Sequence, residues 1–67
     1  MSKLDDLIEL ARKHVTAGRR IVAAQRRRIA SGKLRSQDAH DLLVTFERSL
    51  EIFEQDLDRL LKARDEK

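Results

Sequence analysis

The sequence predicts an all-α fold, in which two long helices joined by a short bend pack antiparallel as a coiled-coil-like hairpin. Its 67 residues contain no proline, two glycines and 40% charged side chains, a composition typical of long helices. Apolar residues recur every seven positions in two segments, which only Gly-Lys-Leu-Arg at residues 32–35 separates. Because so short a connection places consecutive helices side by side, we expect helix 1 at about 3–31 and helix 2 at about 36–64. Together they form a single domain over residues 1–67.

Helix 1 is predicted to begin after Ser2. Ser2 and Asp5 have the spacing of a capping box, in which the serine oxygen accepts from a free N–H of the first turn. The apolar residues then follow the a and d positions of a heptad. Position a holds Ile8, Val15, Val22 and Ile29, and position d holds Leu4, Ala11, Gly18 and Gln25. Gly32 follows the last predicted turn, where a left-handed residue often ends a helix.

Helix 2 is predicted to begin at the N-cap residue Ser36, and its apolar columns are bulkier. Position a holds Leu43, Leu50 and Leu57, and position d holds Ala39, Phe46, Phe53 and Leu60. If the chain folds back in the predicted bend, residues whose numbers sum to about 68 face each other, so Gly18 meets Leu50. We therefore expect the helices to approach closely there. Gln25, the polar residue in this seam, is expected to serve register or specificity rather than chemistry.

The two helices carry opposite charges along one edge of the seam, position e of the heptad. The first 35 residues hold ten basic and three acidic side chains, giving +7, and the remainder hold five and nine, giving −4, in agreement with the net charge of +3. Position e holds Arg12, Arg19 and Arg26 on helix 1, and His40, Glu47 and Glu54 on helix 2. In an antiparallel pair e faces e, so we expect Arg19 and Arg26 beside Glu47, and Arg12 and Arg19 beside Glu54. Such surface ion pairs disfavour wrong pairings of the helices more than they stabilise the correct one.

A second row of cations occupies position f and points away from the seam. It consists of Lys13, Arg20 and Arg27, with no acid opposite. Cations one heptad apart can follow a phosphate backbone. No aromatic residue lies beside them for base stacking, and no lysine-rich tail accompanies them. A solvated face is the favoured interpretation, and binding of nucleic acid or another anionic partner is the alternative.

The chain is also predicted to self-associate. A domain this small buries little apolar surface, and without cysteines it has no disulfides to compensate. Position g, on the edge of the seam away from the paired charges, and some neighbouring positions are more apolar than a solvated flank requires. The predicted interface residues are Leu7, Ile21, Leu42, Ile52, Leu61 and Ala63. A second copy on this side would form a dimeric four-helix bundle.

One faint catalytic signal is present. His14 and Gly18 have the His-x-x-x-Gly spacing of histidine phosphotransfer domains, but Ala17 stands where those domains usually carry lysine. We expect His14 instead to be half-buried opposite Asp56 and to hold that carboxylate. The sequence shows no nucleophile–base pair, metal-ligand cluster or glycine-rich phosphate loop, so we predict neither an enzyme nor a cofactor.

The sequence predicts no membrane partner. Its longest apolar runs are far shorter than a transmembrane helix requires. The opening stretch "MSKLDDLIEL" has acid early and lacks the apolar segment of a signal peptide. A cytoplasmic location is the resulting expectation.

Two stretches carry a likeness to other proteins: "HVTAGRRIVAAQRRRI" and "LLVTFERSLEIFEQDLDRLL". The first has a His-aliphatic-x-x-Gly start, and the second has a Leu-Leu-x-Thr-Phe start. Over residues 14–61 the chain thus resembles a group of short alphaproteobacterial helical-hairpin proteins. The resemblance implies a bacterial protein with the hairpin fold and brings no activity or catalytic residue with it. The function predicted is a non-enzymatic protein–protein interaction module.

Overall fold

Two α-helices make up nearly all of the chain that the computed structural model describes, which is residues 2–32 and 36–66. Helix α1 spans Lys3–Ala30 and helix α2 spans Gln37–Asp65. These bounds lie within one residue of the expected ones at each end. Residues 33–35 of the predicted bend lie outside the described residues.

Serine caps begin both helices. The backbone N–H of Asp5 donates to Ser2 Oγ at 3.1 Å, and the Ser2 hydroxyl donates to Asp5 Oδ2 at 3.0 Å. The N–H of Ala39 donates to Ser36 Oγ at 3.2 Å. The two bonds to serine Oγ each satisfy a first-turn N–H that has no partner within the helix, so both predicted N-caps are confirmed. Gly32 has a φ of 80°, which confirms the left-handed residue predicted after α1.

The two helices lie side by side and run antiparallel, as predicted. Contacts across the seam join Gln25 to Ala39, Gly18 to Leu50, and His14 to Phe53. Residue numbers fall on α2 as they rise on α1, and each pair sums to a value near the expected 68. The hairpin is a rod of 48 × 16 × 13 Å.

Gly18 allows the two backbones to approach. A Cβ placed on Gly18 would lie 3.1 Å from Leu50 Cδ1, 3.6 Å from Leu50 Cβ and 3.8 Å from Leu50 Cα. Carbon atoms attract best at about 3.5–4.0 Å, so even a methyl group would press on this leucine. A glycine inside a helix costs about 1 kcal/mol relative to alanine. The closeness of the contact is the physical reason for a glycine here.

The buried core is small and lies mostly on α1. Its apolar members are Ile8, Ala11, Val15 and Val22 on α1 and Ala39 on α2. The large seam residues of α2 are only half-buried: Leu43, Phe46, Leu50, Phe53, Leu57 and Leu60. A single partner helix with small side chains covers the inner edge of these residues and leaves the outer edge in water. The hairpin therefore leaves part of its apolar seam unburied.

Gln25 is the one buried polar side chain in the described part of the chain, and it links the helices. It is 3% exposed, and its Nε2 donates to the carbonyl oxygen of Ala39 at 3.0 Å. A helix carbonyl points towards the C-terminus of its own helix. The Ala39 oxygen therefore lies beyond Ala39 along α2, at the level that the predicted register places opposite Gln25. A slip of the register would leave a buried amide without a partner, at a cost on the order of 1–3 kcal/mol.

We expect Gly18→Leu to lower the free energy of unfolding by about 1–3 kcal/mol, because the added side chain overpacks the contact with Leu50. Urea unfolding followed by circular dichroism measures the loss. Ala23→Leu is the matched control, since it adds a leucine to the exposed surface of the same helix. Equal unfolding midpoints for the two variants would show that residue 18 is not at the helix–helix contact.

Candidate interaction surface

Two ion pairs join the helices along one edge of the hairpin. We call this edge the charged rim, formed by Arg19, Arg26, Glu47 and Glu54. Arg26 Nη2 lies 2.9 Å from Glu47 Oε2 as a hydrogen-bonded pair, and Arg19 Nη2 lies 3.5 Å from Glu54 Oε2. All four side chains are substantially exposed, so each pair contributes only about 0.2–1 kcal/mol.

Two of the four predicted rim contacts are therefore confirmed. The other two, Arg12 with Glu54 and Arg19 with Glu47, are not among the ion pairs of the described residues. The reason is the tilt of helical side chains towards the N-terminus of their own helix. In an antiparallel pair this tilt leans Arg26 and Glu47 towards each other, whereas it leans the two missing pairs apart.

The outer surface of α1 carries the cation row, which consists of Lys13, Arg20 and Arg27. All three side chains are exposed. In the part of the chain that the structure describes, none of them forms an ion pair. Their spacing of seven residues corresponds to about 10 Å along a helix.

The side of the rod away from the charged rim exposes five large apolar side chains. They occupy position g or the neighbouring position c of the heptad, so they project from one side of the hairpin. This apolar face consists of Leu7, Leu10, Ile21, Leu42 and Ile52. Four of its members are predicted interface residues, and Leu10 is the one that the sequence analysis misses. The signal that finds it is a second stripe on helix 1 whose members are spaced alternately by three and four residues: Leu7, Leu10, His14, Ala17, Ile21 and Ala24.

Three other apolar residues do not belong to the apolar face: Val44, Leu61 and Ala63. Val44 is 47% exposed, much like Leu42 at 45%, but position b places it on the opposite side of α2. Leu61 is half-buried and follows Glu54 by seven residues, so it belongs to the column of the charged rim and not to the apolar face. Ala63 is exposed at position g, near the end of α2.

One end of the apolar face contains a shallow cleft of about 200 Å³, here called the end cleft. The start of α1 and the last turns of α2 form its walls. Its lining residues are Leu7, Leu10, Ala11, His14, Phe53, Asp56, Arg59 and Leu60. Most of these residues are apolar, and the polar members are His14, Asp56 and Arg59.

His14 lies in the end cleft as an exposed side chain, not a half-buried one. Its ring centroid is 5.1 Å from that of Phe53, with an angle of 39° between the rings. The predicted bond from His14 to Asp56 is wrong, because Asp56 pairs with Arg59 at 3.8 Å among the described contacts. A guanidinium three residues along the same helix is within easy reach of this carboxylate, whereas the imidazole packs against Phe53.

Metal-binding clusters and membrane-spanning helices are absent from residues 2–32 and 36–66. No group of three or more histidine, cysteine, aspartate or glutamate side chains there is placed to hold a metal ion. Neither of the two helices has an apolar stretch of the length needed to span a bilayer. The charged rim, the cation row and the apolar face are the distinctive features of the described surface.

Comparison with known proteins gives no relatives. No family model, curated protein or solved structure matches this chain. The resemblance to alphaproteobacterial hairpin proteins therefore stays a prediction.

We expect Glu47→Lys combined with Glu54→Lys to destabilise the hairpin at low salt, because both rim arginines would then face a cation. Raising the salt concentration should restore part of the lost stability, since the Debye length falls from about 30 Å at 0.01 M to about 3 Å at 1 M. Thermal melting at several salt concentrations measures both effects. Glu51→Lys, an exposed change outside the rim, is the control. A loss that does not vary with salt would count against an electrostatic role for the rim.

Proposed function

We propose that this chain is a non-enzymatic, self-associating interaction module, whose apolar face binds a second copy to form a four-helix bundle. The observation that carries the proposal is the placement of the exposed large apolar side chains. Six are exposed in the described residues, and five of these lie on the apolar face. Scattered apolar residues are ordinary on protein surfaces, whereas a contiguous apolar patch marks an interaction site.

The dimensions of the hairpin suit a partner of its own size. The rod is 48 Å long and 16 Å across, so its broad side covers on the order of 800 Å², about the area that each partner contributes to a standard interface. A second hairpin has the same length and width. It would also bring its own apolar face, since a two-fold contact uses the same patch on both copies.

The half-buried seam supports the same partner. Phe46 and Phe53 occupy position d, whose outer edge borders the apolar face, and both rings are only half-buried. Complete burial of a large apolar side chain stabilises by roughly 1.5–3 kcal/mol. Gains from a few such residues are comparable to the whole stability of a small domain, about 5 kcal/mol or more. A second copy on this side would supply the missing cover and leave the charged rim and the cation row in water.

A second candidate function is binding of an anionic polymer through the cation row. The observation that favours it is the absence of ion-pair partners for Lys13, Arg20 and Arg27 among the described residues. The arginines of the charged rim face glutamates, whereas these three cations are available to phosphates. Because position f of the cation row points about 100° away from position g of the apolar face on α1, the two functions do not exclude each other.

We expect sedimentation at micromolar concentration to give a mass near twice the 7.8 kDa of one chain. The reason is that a monomer would leave the apolar face and the seam edges exposed to water. A well-folded monomer at that concentration would overturn the proposal.

Ile21→Glu combined with Leu42→Glu should abolish the dimer and give an unfolded or barely folded monomer, because it places charges in the apolar face. Val44→Glu is the matched control, since Val44 is as exposed as Leu42 but lies on the opposite side of α2. Light scattering and circular dichroism measure mass and helix content. Equal loss of dimer in the control would show that the apolar face has no special role.

For the second candidate, we expect retention on heparin or DNA that weakens as salt rises, because counterion release drives binding to phosphates. Replacing Lys13, Arg20 and Arg27 together by glutamine should remove it. Replacing Arg12, Arg19 and Arg26 by glutamine removes the same charge from the neighbouring column and serves as the control. Unchanged retention of the first variant would assign the row to solvated surface.

A further inference from the structure

The two ends of the hairpin differ in charge. Among the described residues, the half next to the bend (17–32 and 36–51) holds six basic and four acidic side chains, a net charge of +2. The half at the free ends (2–16 and 52–66) holds six basic and eight acidic side chains, a net charge of −2. Two copies whose like ends meet would bring equal charges together, whereas two copies whose unlike ends meet would bring opposite charges together.

The two ends of the apolar face also differ in shape. The end cleft lies at the free ends, between the start of α1 and the last turns of α2. Ile21 and Leu42, which project into water, lie in the half next to the bend. A cleft laid against another cleft would leave an unfilled space, and an unfilled space forfeits van der Waals contacts. A cleft laid against projecting apolar side chains would be filled.

We propose that two copies associate antiparallel, so that Ile21 and Leu42 of one copy enter the end cleft of the other. This inference rests on the proposed self-association and specifies its geometry. The two-fold axis lies between the two apolar faces and runs across both helices. It sets α1 on α1 and α2 on α2 of the second copy, with their directions reversed.

The helix midpoints set which residues meet in this arrangement. The midpoint of α1 lies between residues 16 and 17, and that of α2 lies at residue 51. Reversal about these midpoints brings Ile21 to the level between Leu10 and His14 of the second copy. It brings Leu42 to the level of Leu60. These residues of the second copy, Leu10, His14 and Leu60, all line its end cleft. By symmetry, Ile21 and Leu42 of the second copy fill the cleft of the first.

Ile52 lies near the two-fold axis in the same arrangement. It is the most exposed member of the apolar face, at 57%. Its position close to the midpoint of α2 places it against Ile52 of the second copy. The polar groups around the cleft, His14, Asp56 and Arg59, would border the apolar residues that enter from the other copy.

Distances between spin labels test the orientation, and the chain has no native cysteine to interfere. One label replaces Gln37, at the bend end of α2, and another replaces Gln55, near its middle, in separate single-cysteine variants. Both residues are exposed and lie off the apolar face. Dipolar spectroscopy on each homodimer measures the separation of the two copies of the label.

The antiparallel arrangement predicts a separation beyond about 40 Å for residue 37, since the two labels lie at opposite ends of helices that rise 1.5 Å per residue. A parallel arrangement would instead hold them within about 30 Å, because packed helices lie only 8–10 Å apart. The label at residue 55 is within about 30 Å in either orientation. It therefore reports association alone.

Failure of the antiparallel arrangement and failure of the proposed self-association would give different results. A short distance at residue 37 together with a coupled label at residue 55 would overturn the antiparallel arrangement and leave self-association intact. A monomeric mass with no coupling at either label would overturn the proposed function and this inference with it. Long separation at residue 37 with coupling at residue 55 supports both.

Discussion

The close approach of the two helices at Gly18 sets both the register of the hairpin and the size of its core. Leu50 occupies the space that a side chain at position 18 would fill. This closeness allows the Gln25 amide to reach the Ala39 carbonyl and lets Arg26 pair with Glu47 at 2.9 Å. One buried hydrogen bond and two exposed ion pairs then define the register, because each depends on which residues lie at the same level.

The same constraint limits the core. A helix that offers alanine, valine and glycine along the middle of its seam permits close packing but contributes little volume to a hydrophobic interior. The leucines and phenylalanines of α2 consequently keep their outer edges in water. The hairpin thus combines a well-defined register with incomplete burial, and the incomplete burial borders the side on which large apolar residues are exposed. In the proposed function, a second copy covers the side that this incomplete burial leaves in water.

Charge has a different role from apolar burial in this molecule. The pairs of the charged rim are exposed to water, so they add little free energy. They nevertheless disfavour the pairing of like helices along this edge, since two α1 helices would bring cations towards cations. The unequal charge of the two ends would act in the same way between copies, by selecting an orientation that the apolar face alone leaves open.

The amino-acid sequence is sufficient to predict the two helices, their serine caps, the antiparallel seam and the contact of Gly18 with Leu50, because these follow from local spacing and from a seven-residue repeat. It also identified four of the five members of the apolar face. Which arginine pairs with which glutamate depends on side-chain tilt and is visible only in the folded hairpin. The same is true of the packing of His14 on Phe53 and the pairing of Asp56 with Arg59. The tertiary structure also revealed the end cleft and the exposure of Leu10. Such features depend on how the surfaces of two helices meet. The apolar periodicity of each helix alone does not predict the shape of a cleft that both helices line.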